Sequence, residues 1–379
     1  MNIDLISPYH GGSHQSWAVG YTQHSKNDVR LLTLPDRFWK WRMHGGAVTL
    51  ARRFLAQGHQ PDLILATDML DLTTFLALTR QQTASIPTVL YMHENQLTYP
   101  LPNNGRSGPM RRQHGERDQH YVFINYASML AADAVLFNSR YHRDSFLAAL
   151  PNYLKHFPEY NELNSIELIA NKSGVLPVGI DFERLNLAGE PPAPNDIPLI
   201  VWNQRWEYDK NPEGLFAALF QIAEVGIPFQ LALCGQQYGK RPLIFEEAIK
   251  RLDKQLIHVG FADGEQYKSL LWQADITIST AIHEFFGISV LEAVHCRTFP
   301  ILPNRLSYPE IVPAEFHNNC LYEDEVALVE KLKWTLSHRQ EAKLVAKALK
   351  TAVSTYSWQN IIHKYDQQLQ KTANLGNKL

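Results

Sequence analysis

Residues 276–302 read ITISTAIHEFFGISVLEAVHCRTFPIL, and this stretch decides the fold class. A short apolar run at 276–279 leads through a glycine-containing junction into a helix-like segment at 287–295, and a second apolar run follows at 299–302. Strand, helix and strand in so short a span form a βαβ unit, whose strands lie parallel. The same alternation extends outward. Apolar runs at 199–202, 229–233 and 257–259 are separated by helix-like segments near 211–224 and 242–256, and an earlier series lies at 4–7, 30–34, 63–66, 88–92, 135–137 and 174–176. Most of the gaps have helical periodicity, so the chain reads as two doubly wound α/β units.

Between the two series runs LAGEPPAPNDIP, residues 187–198, whose early prolines suit an extended connection and forbid a helix. The expected division is therefore 1–188 and 189–355, followed by a C-terminal helix in 356–379. Trp358, Ile361, Ile362, Tyr365 and Leu369 are spaced for one face of that helix, which is expected to pack back on the N-terminal unit. Two further helices are expected at 324–336 and 340–355. A chain of 379 residues has room for two such cores, and 45% hydrophobic with 20% charged residues is a globular balance.

Thirty-six Lys and Arg against 38 Asp and Glu leave a formal charge of -2, so a polyanionic partner needs a local basic patch. MNIDLISP at the start carries Asp4 and Pro8 where a signal peptide would be apolar, and it reads as a strand. With no apolar run of ~20 residues to cross a bilayer, a cytoplasmic protein is expected. Cys234, Cys296 and Cys320 are odd in number and far apart, which indicates neither a disulfide framework nor a zinc site. The loop YHGGSH at 9–14 does not match G-x-G-x-x-G, and no G-x-x-x-x-G-K-[ST] occurs, so a nicotinamide dehydrogenase and a P-loop NTPase are both disfavoured. The cleft between two Rossmann-like halves is then the default site.

Two stretches carry candidate chemistry. Glu284 and Glu292 flank the strand-to-helix junction, where a helix starting near Phe286 or Gly287 would offer backbone N–H groups to an anion, and Glu292 could point toward a ribose diol. The plainer alternative is one acid ahead of a helix dipole and another on its solvent face. In WNQRWEYDKNP, residues 202–212, Arg205 and Lys210 could neutralise a diphosphate leaving group, or the stretch could be a surface loop with Glu207 and Asp209 as salt partners. His93 ends the fourth apolar run, where a histidine is often capped by backbone. No Asp-x-Asp occurs, which argues against a divalent-metal diphosphate clamp, and two glycines between His10 and His14 make a rigid metal pair improbable.

E-x7-E with R-x4-K resembles the retaining GT-B glycosyltransferases of family 4. More narrowly, YHGGSH (9–14), LPDRFWKWR (34–42), HENQLTYP (93–100), ERDQHY (116–121) and FNS (137–139) resemble the tRNA-queuosine mannosyltransferase branch. The resemblance implies a GT-B fold, two Rossmann-like domains facing a central cleft, and nearly the whole chain takes part. It implies that Glu284 contacts donor-sugar hydroxyls and Glu292 the nucleotide ribose. Arg205, Lys210 and backbone near Phe286 and Gly287 would hold the diphosphate, Gly11 and Gly12 would lie near diphosphate and acceptor, Gly260 and Phe261 near the base, and His93 would face the donor sugar. It further implies mannose transfer with retention from GDP-mannose, without a metal or other cofactor, to the cyclopentenediol of queuosine in tRNA.

For the acceptor, residues 37–53 hold Arg37, Lys40, Arg42, Arg52 and Arg53 and no acid, interleaved with Phe38, Trp39 and Trp41. Residues 101–117 read as a Pro/Gly/Asn-rich loop with Arg106, Arg111, Arg112 and Arg117, while Asn95 and Gln96 follow His93. Basic side chains with aromatics suit a tRNA loop. The same composition suits an anionic membrane surface, or the tryptophans are core. The alternatives are thus a family 4 enzyme with a lipid or small-molecule acceptor, and a non-catalytic RNA-binding GT-B protein.

Overall fold

The computed structural model of the chain describes residues 1–100, 109–235 and 242–376, without the side chains of 109–118, 375 and 376. The chain divides into two units, Met1–Ile180 with Trp358–Leu379, and Asp181–Ser357. The first holds β1 (Asn2–His10), β2 (Asp28–Pro35), β3 (Leu63–Thr67), β4 (Thr88–Met92), β5 (Ala134–Phe137) and β6 (Ser173–Val175), all parallel in the order 2-1-3-4-5-6. Helices connect most of them, so the inner strands are buried on both faces and read as continuous apolar runs. Asp4 is the exception that the sheet absorbs. It lies opposite Arg30 on β2, which donates through Nε to Oδ1 at 3.0 Å, so the charge in the core strand is paired.

The second unit holds β7 (Leu199–Asn203), β8 (Gln230–Cys234), β9 (Leu256–Gly260), β10 (Ile276–Ile278), β11 (Phe299–Pro303) and β12 (Leu321–Tyr322), parallel in the order 12-11-10-7-8-9. β12, with two residues, is too short to leave an apolar run in the sequence. In each unit the strand order reverses at one place, between β1 and β3 and between β7 and β10. Ligands of open parallel sheets bind beyond the strand C-termini at such a reversal.

The division falls after Ile180, ahead of the expected 188/189. The segment after it is tied to the second unit by specific contacts: Trp272 Nε1 donates to Leu185 O at 2.6 Å, His295 Nε2 lies 3.0 Å from Asn186 Oδ1, and Phe182 stacks on the His295 ring at 4.4 Å. The proline-rich stretch therefore lies within the second unit. The C-terminal helix Trp358–Gly376 belongs to the first unit. Its Trp358 indole occupies the space where a Cβ on Gly20 or Gly179 would stand, and Tyr365 accepts from Trp17 Nε1 at 3.0 Å. Among the described residues no helix is long and apolar enough to cross a membrane.

Candidate functional site

In the second unit the two loops at the sheet reversal are laced together. After β7 the chain makes a 3-10 turn, Tyr208–Lys210, and Asn211 takes a left-handed conformation (φ 49°), accepting from Gly214 N at 3.2 Å to cap the helix Pro212–Glu224. After β10 the chain runs through residues 279–287 to the helix Ile288–His295. Ile282 N donates to Asp209 O at 2.9 Å, and the Thr280 hydroxyl lies 2.8 Å from Asn211 O and 2.9 Å from Lys210 O. These bonds bury Asp209 and Lys210, so the reading of a surface loop fails while its salt partners are real.

Lys210 Nζ donates to His283 O at 3.0 Å and to Glu284 Oε2 at 3.2 Å, and lies 3.2 Å from Asp209 Oδ2. Burial alone would lower the lysine pKa, but the two carboxylates hold it above its ordinary value. Burial would raise Glu284, yet the Lys210 charge and hydrogen bond, with Phe286 N at 3.3 Å from Oε1, hold it below. His283 is pushed down to about 4 by burial and the Lys210 charge. Arg205 stays about half exposed, 3.4 Å from Glu207, and its charge bears on Lys210. Gly287 precedes the helix at φ 102°, a conformation that favours glycine.

Glu292 is not on a solvent face. It is 7% exposed, accepting from Tyr267 OH at 2.7 Å on Oε2 and from the Arg184 guanidinium on Oε1. Asn203 at the end of β7 donates to Tyr267 OH at 2.9 Å and to Ser289 O at 2.8 Å. Asn203, Tyr267 and Arg184 were not singled out from the sequence, where no motif marks them. Gly260 ends β9 at φ 118° with nothing within 4 Å of an added Cβ, and Phe261 beside it is exposed.

In the first unit His93 stands just beyond β4. Its N–H donates to Asp68 Oδ1 at 3.0 Å and its carbonyl accepts from Asn138 Nδ2 at 2.9 Å. The ring stacks on His14 at 4.3 Å and meets Trp17 and Tyr91 edge-on at 4.7 and 4.8 Å, and Nε2 is buried with no hydrogen-bond partner among the described residues. Burial and the neighbouring His14 and His142 hold its pKa well below the usual value, so it is a neutral imidazole. Gly11 has no room for a side chain, because the Asp36 carboxylate lies 2.0 Å from where its Cβ would be, whereas Gly12 (φ 50°) faces open space.

The residues expected at the acceptor divide. Asn95 is fully buried and its Oδ1 accepts from Leu97 N at 3.0 Å and Thr98 N at 2.8 Å, shaping its own loop, while Gln96 Nε2 donates to Glu94 at 3.2 Å. Trp39 packs on Tyr121 with centroids 5.2 Å apart, whereas Trp41, Arg37 and Lys40 are exposed and Arg42 donates to Pro35 O at 3.0 Å. Arg106 lies outside the described residues. Arg111, Arg112 and Arg117 fall on a helix, Pro109–Ala131, not on the expected loop. Met110, Arg111, Arg112 and Gln113 are good helix formers, a signal that the Gly- and Asn-rich composition of the whole stretch conceals.

Parallel six-stranded sheets in both units, with the switch-point loops just described, define a GT-B glycosyltransferase. The fold is shared by the catalytic domain of starch synthase IV from Arabidopsis thaliana (TM-score 0.76, 13% identity, 99% of each chain covered) and by HepE of Anabaena (0.66, 15%, 99% of this chain and 100% of that one). Residues 184–351 match the family described as "Glycosyl transferases group 1", and residues 2–180 match "tRNA-queuosine alpha-mannosyltransferase N-terminal". A Drosophila melanogaster protein named tRNA-queuosine alpha-mannosyltransferase is 36% identical over 340 residues, 87% of this chain and 86% of the relative. The chain belongs to the tRNA-queuosine alpha-mannosyltransferase family, and its donor is a nucleotide sugar.

Proposed function

We propose that this enzyme transfers mannose from GDP-mannose to the cyclopentenediol of queuosine in tRNA, with retention at the anomeric carbon. The observation that carries the reading is the pair of carboxylates in the second unit, each fixed by a different partner: Glu284 by Lys210 and Glu292 by Tyr267 and Arg184. Separate anchoring suits separate ends of one donor, the sugar hydroxyls for Glu284 and the ribose diol for Glu292. Phe286 and Gly287 at the helix start are assigned to the diphosphate, and Gly260 and Phe261 to the base.

In the reaction the bond from the anomeric carbon to phosphate oxygen breaks and a bond from that carbon to a queuosine hydroxyl oxygen forms. The departing phosphate takes the hydroxyl proton on the same face, so no strong external base is required. Charge builds on the diphosphate as it leaves, and Arg205 and Lys210 stabilise it more in the transition state than in the bound donor. His93, neutral and with Nε2 buried, is assigned to orienting the donor sugar rather than to proton abstraction; Gly11 and Gly12 are assigned to the diphosphate and acceptor side. With tRNA as the acceptor, the reaction is assigned to the cytoplasm.

The test is incubation of queuosine-containing and queuosine-lacking total tRNA with a panel of nucleotide sugars, followed by nucleoside mass analysis. Hexosylated queuosine from GDP-mannose alone is expected. Absence of any tRNA product, alongside product on a lipid acceptor, overturns the reading.

A further inference from the structure

The turn that leads into the helix Trp39–Gln57 holds its aromatic side chains in three different settings. Trp39 faces inward, against Tyr121 and the small cluster of Met43, Met69 and Ile124. Phe38 is 79% exposed and held at φ 54°, a left-handed conformation unusual for a bulky residue. The turn is pinned from several sides: Arg37 N donates to Pro35 O at 2.9 Å, Arg42 Nε to the same carbonyl at 3.0 Å, and Phe38 O accepts from Trp41 N at 2.8 Å. Trp41 is 64% exposed, and its ring lies against Gly45, where an added Cβ would stand 2.7 Å from two ring carbons. The helix thus covers one part of the indole and leaves the rest in water.

We propose that the exposed indole of Trp41, with Phe38 one turn ahead of it, is a stacking platform for an unpaired base of the acceptor RNA, and that Trp39 supports this platform from within. The inference rests on the tRNA-acceptor reading above. Base stacking needs an aromatic face held still, and Gly45 supplies the space in which the ring lies along its own helix. The charge is complementary: Arg37 and Lys40 are exposed beside the aromatics, and no acid occurs from residue 37 to residue 61. Apolar exposure continues on the helix at Val48 and Leu55, at successive seven-residue steps from Trp41 and so on the same face. A lipid surface would use that whole stripe, whereas a base needs only its aromatic, basic end.

The test measures affinity for queuosine-containing tRNA at fixed salt. Trp41→Ala is expected to weaken binding about tenfold or more, the range of one base–aromatic stack, with Trp41→Phe recovering most of it. Gly45→Ala is expected to weaken binding too, because its methyl displaces the indole, although alanine favours the helix and the melting temperature should hold or rise. The slope of log affinity against log salt should stay at its wild-type value in all three, since stacking releases no counterions. Wild-type affinity in both Trp41→Ala and Gly45→Ala overturns the platform. So does a Val48→Ser, Leu55→Ser pair that costs as much as Trp41→Ala, or Trp41-dependent binding to phosphatidylserine vesicles without tRNA. If the wild type neither binds nor modifies tRNA, the acceptor reading itself has failed and the platform falls with it; a failure confined to the variants leaves that reading standing.

Discussion

Replacing Lys210 by methionine keeps most of the stem and removes the charge that faces Glu284 and Asp209. Breaking a buried pair by removing one partner costs about 3–5 kcal/mol, because the other charge is left uncompensated. The Glu284 side chain keeps 20% of its surface in contact with water while that of Asp209 keeps none, so the range of about 3–5 kcal/mol stands. For a unit of this size that lowers the melting temperature by roughly 6–20 °C. The pH dependence gives the sign. In the wild type Glu284 has a lowered pKa, so its contribution is present above the unfolded value and is lost as pH falls through the folded one. Without Lys210 the Phe286 N–H is left to oppose burial, the largest influence on this carboxyl, which pushes the folded pKa up and penalises the charged form at neutral pH; protonation relieves that penalty. The melting-temperature gap between wild type and Lys210→Met should therefore be widest near pH 7 and narrow toward pH 4. Adding Glu284→Gln should close part of the gap, with Asp209 still facing an apolar chain, and should not restore turnover. Thermal melts of the three proteins across this pH range decide the matter. A gap that does not change with pH, or a variant as stable as wild type, refutes the ion pair as the organiser of this loop.

Arg205→Ala should lower turnover by about two to three powers of ten, the scale of losing one preorganised donor to a developing charge, and activity should survive a chelator; steady-state rates with and without the chelator check both. Glu292→Gln should mainly weaken binding of the free nucleoside diphosphate, read by calorimetry, whereas Glu284→Gln should mainly impair use of the sugar. His93→Ala should abolish transfer with donor affinity within a few-fold, and because the wild-type imidazole stays neutral, the pH profile of kcat should show no limb from it near neutrality. Arg111→Gln with Arg112→Gln should shrink the salt slope of tRNA affinity by about the two phosphate contacts removed, and a slope equal to wild type would take both residues out of the interface.

What the sequence shows and what it hides follow from one physical distinction. Period and composition are local, so eleven of the twelve strands among the described residues could be read from apolar runs, and the exception, Leu321–Tyr322, is too short to have a period. The asparagine cap at 211 and the glycine at 287 act through their own backbone conformations. Strand order is not local. Nothing in residues 199–203 or 276–278 says that these two strands are neighbours, although they pair Ile200 to Ile276 and Val201 to Thr277. Their adjacency is what brings Lys210 to Glu284, 74 residues away.

The same distinction explains why the sequence leaves Glu292 two readings, of which the fold removes the solvent-facing one. From the sequence it is a charge on a short amphipathic helix, and either a ligand or water would satisfy it. In the fold its two oxygens are taken by Tyr267, 25 residues back, and Arg184, 108 residues back. A buried carboxylate must be paired, so these partners set its position before any nucleotide arrives. Tyr267 in turn is held by Asn203, whose other amide bond goes to Ser289 at the start of the helix that carries Glu292. The chain of bonds therefore closes on itself and fixes the carboxylate from both its tip and its helix. A ribose diol that binds Glu292 must share or displace the Arg184 contact, so the affinity measured for the nucleotide is a difference between two sets of hydrogen bonds rather than the strength of one.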